Sequence, residues 1–173
     1  MKYRAPLALM AFLLLLVWGC GESAPKAKAT LVNAQGQKVG EAQLEDTGQG
    51  VKITLKVENL PPGPHAFHIH EKGLCDPPDF MTAGGHFNPF HKQHGMKNPA
   101  GPHAGDLPNL VVGADGKETL EAIASRVTLK PGQNSLFQPG GTSLVIHAGP
   151  DDYTTDPAGN AGARIACGVI TKQ

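Results

Sequence analysis

From Ala29 onward, apolar and polar residues alternate over short stretches of this chain. Val51, Ile53, Leu55 and Val57 interleave with Lys52, Thr54 and Lys56, the period-two pattern of a half-buried strand. Alternating or β-branched runs of this kind predict strands at Ala29–Asn33, Lys38–Asp46, Gly50–Glu58, His65–His70, Asn109–Gly113, Glu118–Ile123, Ser143–Ala148 and Arg164–Thr171. Gln35-Gly36 and Asp115-Gly116 are hairpin-type turns between such runs. No stretch holds a long helical period, and no internal repeat is evident. Strands at this spacing predict an all-β fold, an antiparallel sandwich or barrel.

Two stretches resist strand assignment. Glu71 to Leu107 is rich in Gly, Pro and His, and Gly149 to Ala163 reads GPDDYTTDPAGNAGA. Loops this long in a compact domain are functional or disordered. A metal or a disulfide could order the first. Gly-Asn-Ala-Gly in the second marks a sharp return into the final strand.

The first residues follow a different pattern. Lys2 and Arg4 precede a twelve-residue apolar run, Leu7 to Trp18. That length fits an export signal better than a spanning helix, which needs about 20 residues. The run ends Val17-Trp18-Gly19-Cys20, which resembles a bacterial lipoprotein signal despite the bulky Trp18. The expected organisation is a signal peptide at 1–19, a flexible tether at 20–28 and one domain at 29–173. Cys20 would carry lipid and hold the domain to the membrane outside the cytoplasm. The competing reading is an ordinary secreted protein with a spare thiol at Cys20.

Charge excludes one class of partner. Lys plus Arg and Asp plus Glu each number 15, and basic residues are not clustered with aromatics, so nothing points to nucleic acid. An anionic substrate would need a local cation. With Cys20 lipidated, Cys75 and Cys167 remain. Outside the cytoplasm such a pair is expected to form a disulfide, worth roughly 4 kcal/mol at most by chain entropy. Two buried thiols or two metal ligands are the alternatives, although neither cysteine has a Cys-x-x-Cys spacing.

The candidate chemistry lies in seven residues: His68, His70, His86, His94, His103, Asp106 and His147. Clustered imidazoles with one carboxylate suit zinc and copper. Seven ligands are too many for one tetrahedral site and about right for two sites sharing a ligand. His68-x-His70 on a strand places both rings on one face and Ile69 on the other. Other metal patterns fit less well. There is no His-Glu-x-x-His, the cupin pattern expects a later glutamate where Glu71 is adjacent, and the deaminase Pro-Cys-x-x-Cys is absent.

The segments AFHIHEKG, AGGHFNP, HAGDLPNL, LVIHAGPDD and GNAGARIACGVI occur in this order. Together they resemble the copper–zinc superoxide dismutases of the bacterial, exported type, over about Thr30 to Ile170. That resemblance implies an eight-stranded Greek-key β-barrel or immunoglobulin-like sandwich with two long site-forming loops. It implies copper on His68, His70, His86 and His147, and zinc on His86, His94, His103 and Asp106, with His86 shared. It implies a Cys75–Cys167 disulfide, Asp151 as an outer carboxylate joining a copper histidine to a zinc histidine, and Arg164 beside the copper. The implied reaction is dismutation of superoxide, with His86 passing a proton and Arg164 attracting the anion. Relatives of this type differ in whether they dimerise, so a homodimer is one assembly open to the chain. A non-catalytic copper- and zinc-binding module and a structural zinc-only domain are the alternatives. His65 and His91 lie outside the ligand set and read as surface histidines. Lys92 and Lys97 read as solvated charges or as positive potential near the site.

Overall fold

The computed structural model describes residues 24–173; the expected signal peptide and Cys20 lie outside them. Ten strands follow in chain order: β1 Lys26–Asn33, β2 Lys38–Asp46, β3 Val51–Val57, β4 Gly63–His65, β5 Phe67–His70, β6 Leu110–Val112, β7 Glu118–Ala124, β8 Ser143–His147, β9 Arg164–Val169 and β10 Thr171–Lys172. Eight form one antiparallel sheet, in the path β5-β8-β9-β1-β2-β3-β7 with β10 paired to β1. A small β4–β6 sheet spans the gap between the edge strands, β4 running into β5 and β6 into β7.

Two predicted runs are each cut once, which turns eight strands into ten. Ala66 divides His65–His70, its N–H donating to the Gly149 carbonyl (2.8 Å). Ile170 divides Arg164–Thr171, its N–H donating to Thr142 O (3.0 Å). The expected tether is also corrected. Strand β1 begins at Lys26, with Ala27 and Ala29 buried and Lys26 and Lys28 exposed. Alanine is a weak strand former, so propensity alone does not mark this alternation as a strand.

The main core gathers Leu31, Leu44, Ile53, Leu55, Phe67, Ile69, Leu144 and Ile146 between the curved faces of the sheet. A second, smaller cluster holds Phe80, Ala83, Val145 and Cys167, with Cys75 packed against it. The Cys75–Cys167 disulfide is formed there. It pins the long 71–107 loop to β9, on the face of β8 opposite the main core.

That loop is sewn to the free edge of β5. Ile69 N–H donates to Gly105 O (2.9 Å), Phe87 N–H to Ile69 O (2.8 Å) and Glu71 N–H to Gly85 O (2.9 Å). The approach at Gly105 is so close that a Cβ there would overlap the Ile69 carbonyl oxygen. The second loop is closed at its base by Ala148 N–H to Ala163 O (2.7 Å) and Gly149 N–H to Ala161 O (2.9 Å). Both long loops are therefore ordered by backbone hydrogen bonds.

Candidate metal centre

Strand β5 gives the site its first two side chains. In the register with β8, His68 faces Val145 and His70 faces Ser143, while Ile69 turns into the main core. His147 ends β8 at an irregularity between Ile146 and His147, where it pairs with Arg164. The 71–107 loop adds His86, His94, His103 and Asp106. Its bridges His70↔His86 and His68↔Asp106 place it against β5.

These residues form two groups that meet at His86. One ligand atom from each of His68, His70, His86 and His147 lies within 4.8 Å of the others, and the same holds for His86, His94, His103 and Asp106. All seven side chains are buried. The structure thus brings together every member of the set read from the sequence.

In the first group each imidazole has one nitrogen bonded and one bare. His68 Nε2 donates to Asp151 Oδ2 (2.9 Å), His70 Nδ1 to Gly84 O (3.0 Å), and His147 Nδ1 to Gly162 O (3.2 Å). His86 Nδ1 lies 3.0 Å from Asp106 Oδ1. The opposite nitrogens, His68 Nδ1, His70 Nε2, His86 Nε2 and His147 Nε2, are buried without a hydrogen-bond partner. Four orphaned buried acceptors would be costly in an ordinary core. They are the donor set a metal ion satisfies.

Protonation favours the same use. Burial lowers His86 to about 4 and His147 to about 3, with neighbouring imidazoles opposing charge at both. Burial and His86 push His70 well below its usual value. These lone pairs are free at neutral pH.

The second group is held by carboxylates. Asp106 Oδ1 lies 3.0 Å from His86 Nδ1, 3.1 Å from His94 Nδ1 and 3.4 Å from His103 Nδ1. Its Oδ2 accepts from Gly95 N–H (2.9 Å) and His103 N–H (3.0 Å). Burial would raise the Asp106 carboxyl, but these donors hold it well below the usual carboxylate range. Asp151 bridges the two groups, Oδ2 accepting from His68 and Oδ1 from His94 (2.9 Å). Burial alone would lower His94, yet Asp106 and Asp151 raise it to about 9.

Three parts of the site escaped sequence reasoning. His65, expected at the surface, is buried (3% exposed), with Nδ1 2.8 Å from His147 O and Nε2 2.8 Å from Pro61 O. It braces the backbone of His147. Alternation counted back from the buried Phe67 and Ile69 is the signal that could have found it; its polarity argued the other way. Asn109 docks Asp151 through a reciprocal pair, accepting from Asp151 N–H and donating to Asp151 O (2.9 Å each). Gly159 packs directly on Asp151 and His94. His91 is exposed, as expected.

A cavity of about 460 Å³ opens onto the first group, lined by His70, Glu71, His86, His147 and Arg164 among others. Arg164 is half-buried, its Nη1 donating to Phe80 O (2.7 Å) and Nη2 to Gly84 O (2.6 Å). The cavity wall does not include Lys92 or Lys97.

Residues 38–170 match the copper/zinc superoxide dismutase family. The chain belongs to this family. The superoxide dismutase [Cu-Zn] 1 of Aquifex aeolicus is 58% identical over 147 residues, covering 84% of this chain and 87% of its own. The crystal structure of a superoxide dismutase-like protein from Bacillus subtilis superposes with a TM-score of 0.80 at 46% identity, covering 82% and 96%. The copper/zinc superoxide dismutase of Brucella abortus gives 0.69 at 32% identity, covering 84% and 99%. Most of the family-matched span lies in the strands and two loops that build the centre.

Proposed function

We propose that this chain dismutates superoxide, with copper on His68, His70, His86 and His147 and zinc on His86, His94, His103 and Asp106. The four orphaned imidazole nitrogens carry the assignment. An all-imidazole group opening onto a cavity suits copper, while three imidazoles and a carboxylate suit a four-coordinate zinc. When bound, copper supplies a one-electron couple that oxidises one superoxide to dioxygen and reduces the next to hydrogen peroxide, and zinc supplies fixed positive charge.

The chain's own residues do the rest. Arg164, anchored by two carbonyls, draws a small anion toward the cavity floor. His86 is the group that can take a proton at Nε2 and give it to the departing product, because its Nδ1 faces the zinc group; the second proton that hydrogen peroxide needs comes from solvent. Asp151, Gly84 O and Gly162 O fix the ring orientations of His68, His70 and His147. The complete donor sets and Arg164 favour an enzyme over a non-catalytic metal-binding module or a zinc-only domain.

Metal content and superoxide consumption measured on one purified, metal-loaded sample test this. His147→Ala should lose copper and activity and keep zinc. Intact activity in that variant would overturn the copper assignment. Copper bound by the native chain without turnover would favour the module, and zinc alone after copper-rich growth would favour the structural domain.

The proposed setting is extracytoplasmic, with residues 1–19 as export signal and Cys20 lipidated at the membrane. Lys2, Arg4, the Leu7–Trp18 run and Gly19-Cys20 support it. Mass spectrometry of the mature N-terminus decides it, a free Cys20 thiol being the contrary result. Sedimentation of the purified protein distinguishes monomer from homodimer.

A further inference from the structure

Beside the access cavity lies a second one of about 540 Å³, lined by Asp79, Met81, His147, Ala158 and Arg164 among others. Asp79 is exposed, and its Oδ1 accepts from Met81 N–H (3.1 Å), which pins the carboxylate at the head of the short 3-10 turn Met81–Ala83. The next residue along the chain supplies the carbonyl, Phe80 O, that holds Arg164 Nη1 at 2.7 Å. Carboxylate and guanidinium are thus fixed by one turn. Yet among the described residues they form no ion pair within 4.0 Å. Asp79 favours the charge of Arg164, against the burial that opposes it. The other carboxylate near Arg164, Glu71 on the first cavity, is occupied by Gly85 N–H at 3.1 Å.

We propose that Asp79 is a specificity-determining residue of the cavity mouth, setting how strongly Arg164 attracts anions and rejecting multivalent ones most. This rests on the dismutase reading. An anion entering here meets a fixed cation and a fixed anion together. Across roughly 6–10 Å of water, one carboxylate lowers the local concentration of a monoanion about two- to threefold at low salt. The factor is squared for a dianion, about four- to ninefold. Superoxide is a monoanion, whereas phosphate at neutral pH is partly a dianion. Asp79 therefore gives up some encounter rate for selectivity.

The test is Asp79→Asn, which keeps the acceptor for Met81 N–H and removes only charge. Asp115→Asn is the control, with the same change in net charge on an exposed turn outside both cavities. Two quantities are measured on copper- and zinc-loaded protein. One is the second-order rate constant for superoxide against ionic strength. The other is the azide dissociation constant from the visible copper spectrum, which needs no turnover. Asp79→Asn should be two- to threefold faster at low salt, converge with the native chain at high salt, bind azide about two- to threefold tighter and be more readily inhibited by phosphate. Asp115→Asn should change neither quantity. Equal behaviour of the two variants would overturn the proposal. Should Asp79→Asn load metal poorly, Asp79→Ser, which also offers an acceptor to Met81 N–H, repeats the test. A native chain that binds azide but leaves superoxide untouched would refute the dismutase reading, and the azide comparison would still decide the role of Asp79.

Discussion

Gly159 is where a single methyl group should uncouple the two metal groups. Its φ is +63°, and a Cβ there would overlap Asp151 Oδ1, lie 2.6 Å from Asp151 Cγ and 2.7 Å from His94 Nε2. The surrounding loop cannot retreat cheaply. Gly159 N–H donates to Thr155 O (2.6 Å) and Asp152 N–H to Gly159 O (3.0 Å), while Asp152 accepts from Thr154, Thr155 and Asn160. Gly159→Ala must therefore displace the Asp151 carboxylate or the His94 ring. Two costs combine. A left-handed alanine costs about 1–2 kcal/mol. A broken charge-assisted Asp151–His94 bond costs about 1.5–3 kcal/mol more. Loss of an outer hydrogen bond to a metal ligand lowers metal affinity roughly 10- to 100-fold. Gly36→Ala separates the terms, because Gly36 has φ +74° with nothing within 4 Å of its Cβ position. It should show the backbone cost alone. Zinc affinity by chelator competition and metal-free stability in urea are the measurements. If Gly159→Ala held zinc as tightly as Gly36→Ala, the claim that this glycine seats the Asp151 bridge would fail.

Two further outcomes follow from the scaffold. Cys75 and Cys167 are 92 residues apart, so reduction, or serine at both positions, should cost the metal-free domain about 3–4 kcal/mol in urea unfolding. A loss under about 1 kcal/mol would contradict the constraint that disulfide places on the unfolded chain. Asp46 is buried, and although burial raises its carboxyl, Thr128 Oγ1 (2.6 Å), Leu129 N–H (2.9 Å) and Gly48 N–H (3.1 Å) together lower it. A lowered pKa stabilises the fold above the unfolded value of about 3.9 and stops doing so as pH falls through the folded one. Asp46→Asn should thus cost about 1–3 kcal/mol at neutral pH, with the gap in melting temperature closing below about pH 4. A gap that persisted at acid pH would mean the carboxylate charge is irrelevant there.

The site was legible because its ligands sit in local patterns that physics reads directly. His68-x-His70 obeys the period of a strand, and the observed register puts both rings on one face with Ile69 in the core. The other parts needed the fold. His147 stands 77 positions beyond His70, and only the β5–β8 pairing places them together. His65 shares the parity of Phe67 and Ile69, so alternation alone puts it on the buried face; its polar ring argues for the surface until the carbonyls of His147 and Pro61 are there to receive it. Ala27 belongs to β1 because β2 pairs with it at Leu44, a tertiary fact that alanine's own propensity does not announce.

What the sequence pattern left out is a class of groups with no side-chain signature. The acceptors that orient His70 and His147 are the carbonyls of Gly84 and Gly162, and those that hold Arg164 are the carbonyls of Phe80 and Gly84. Gly84 O serves both His70 and Arg164, so one peptide sets the geometry of a metal ligand and of the substrate-attracting cation together. That peptide lies in the loop tied down by the disulfide at Cys75 and by Gly85 N–H on Glu71. The long loop that looked structureless in the sequence is ordered by its backbone. Its glycines let backbone pass close to backbone: a Cβ at Gly105 would overlap Ile69 O, and one at Gly95 would overlap Tyr153 O.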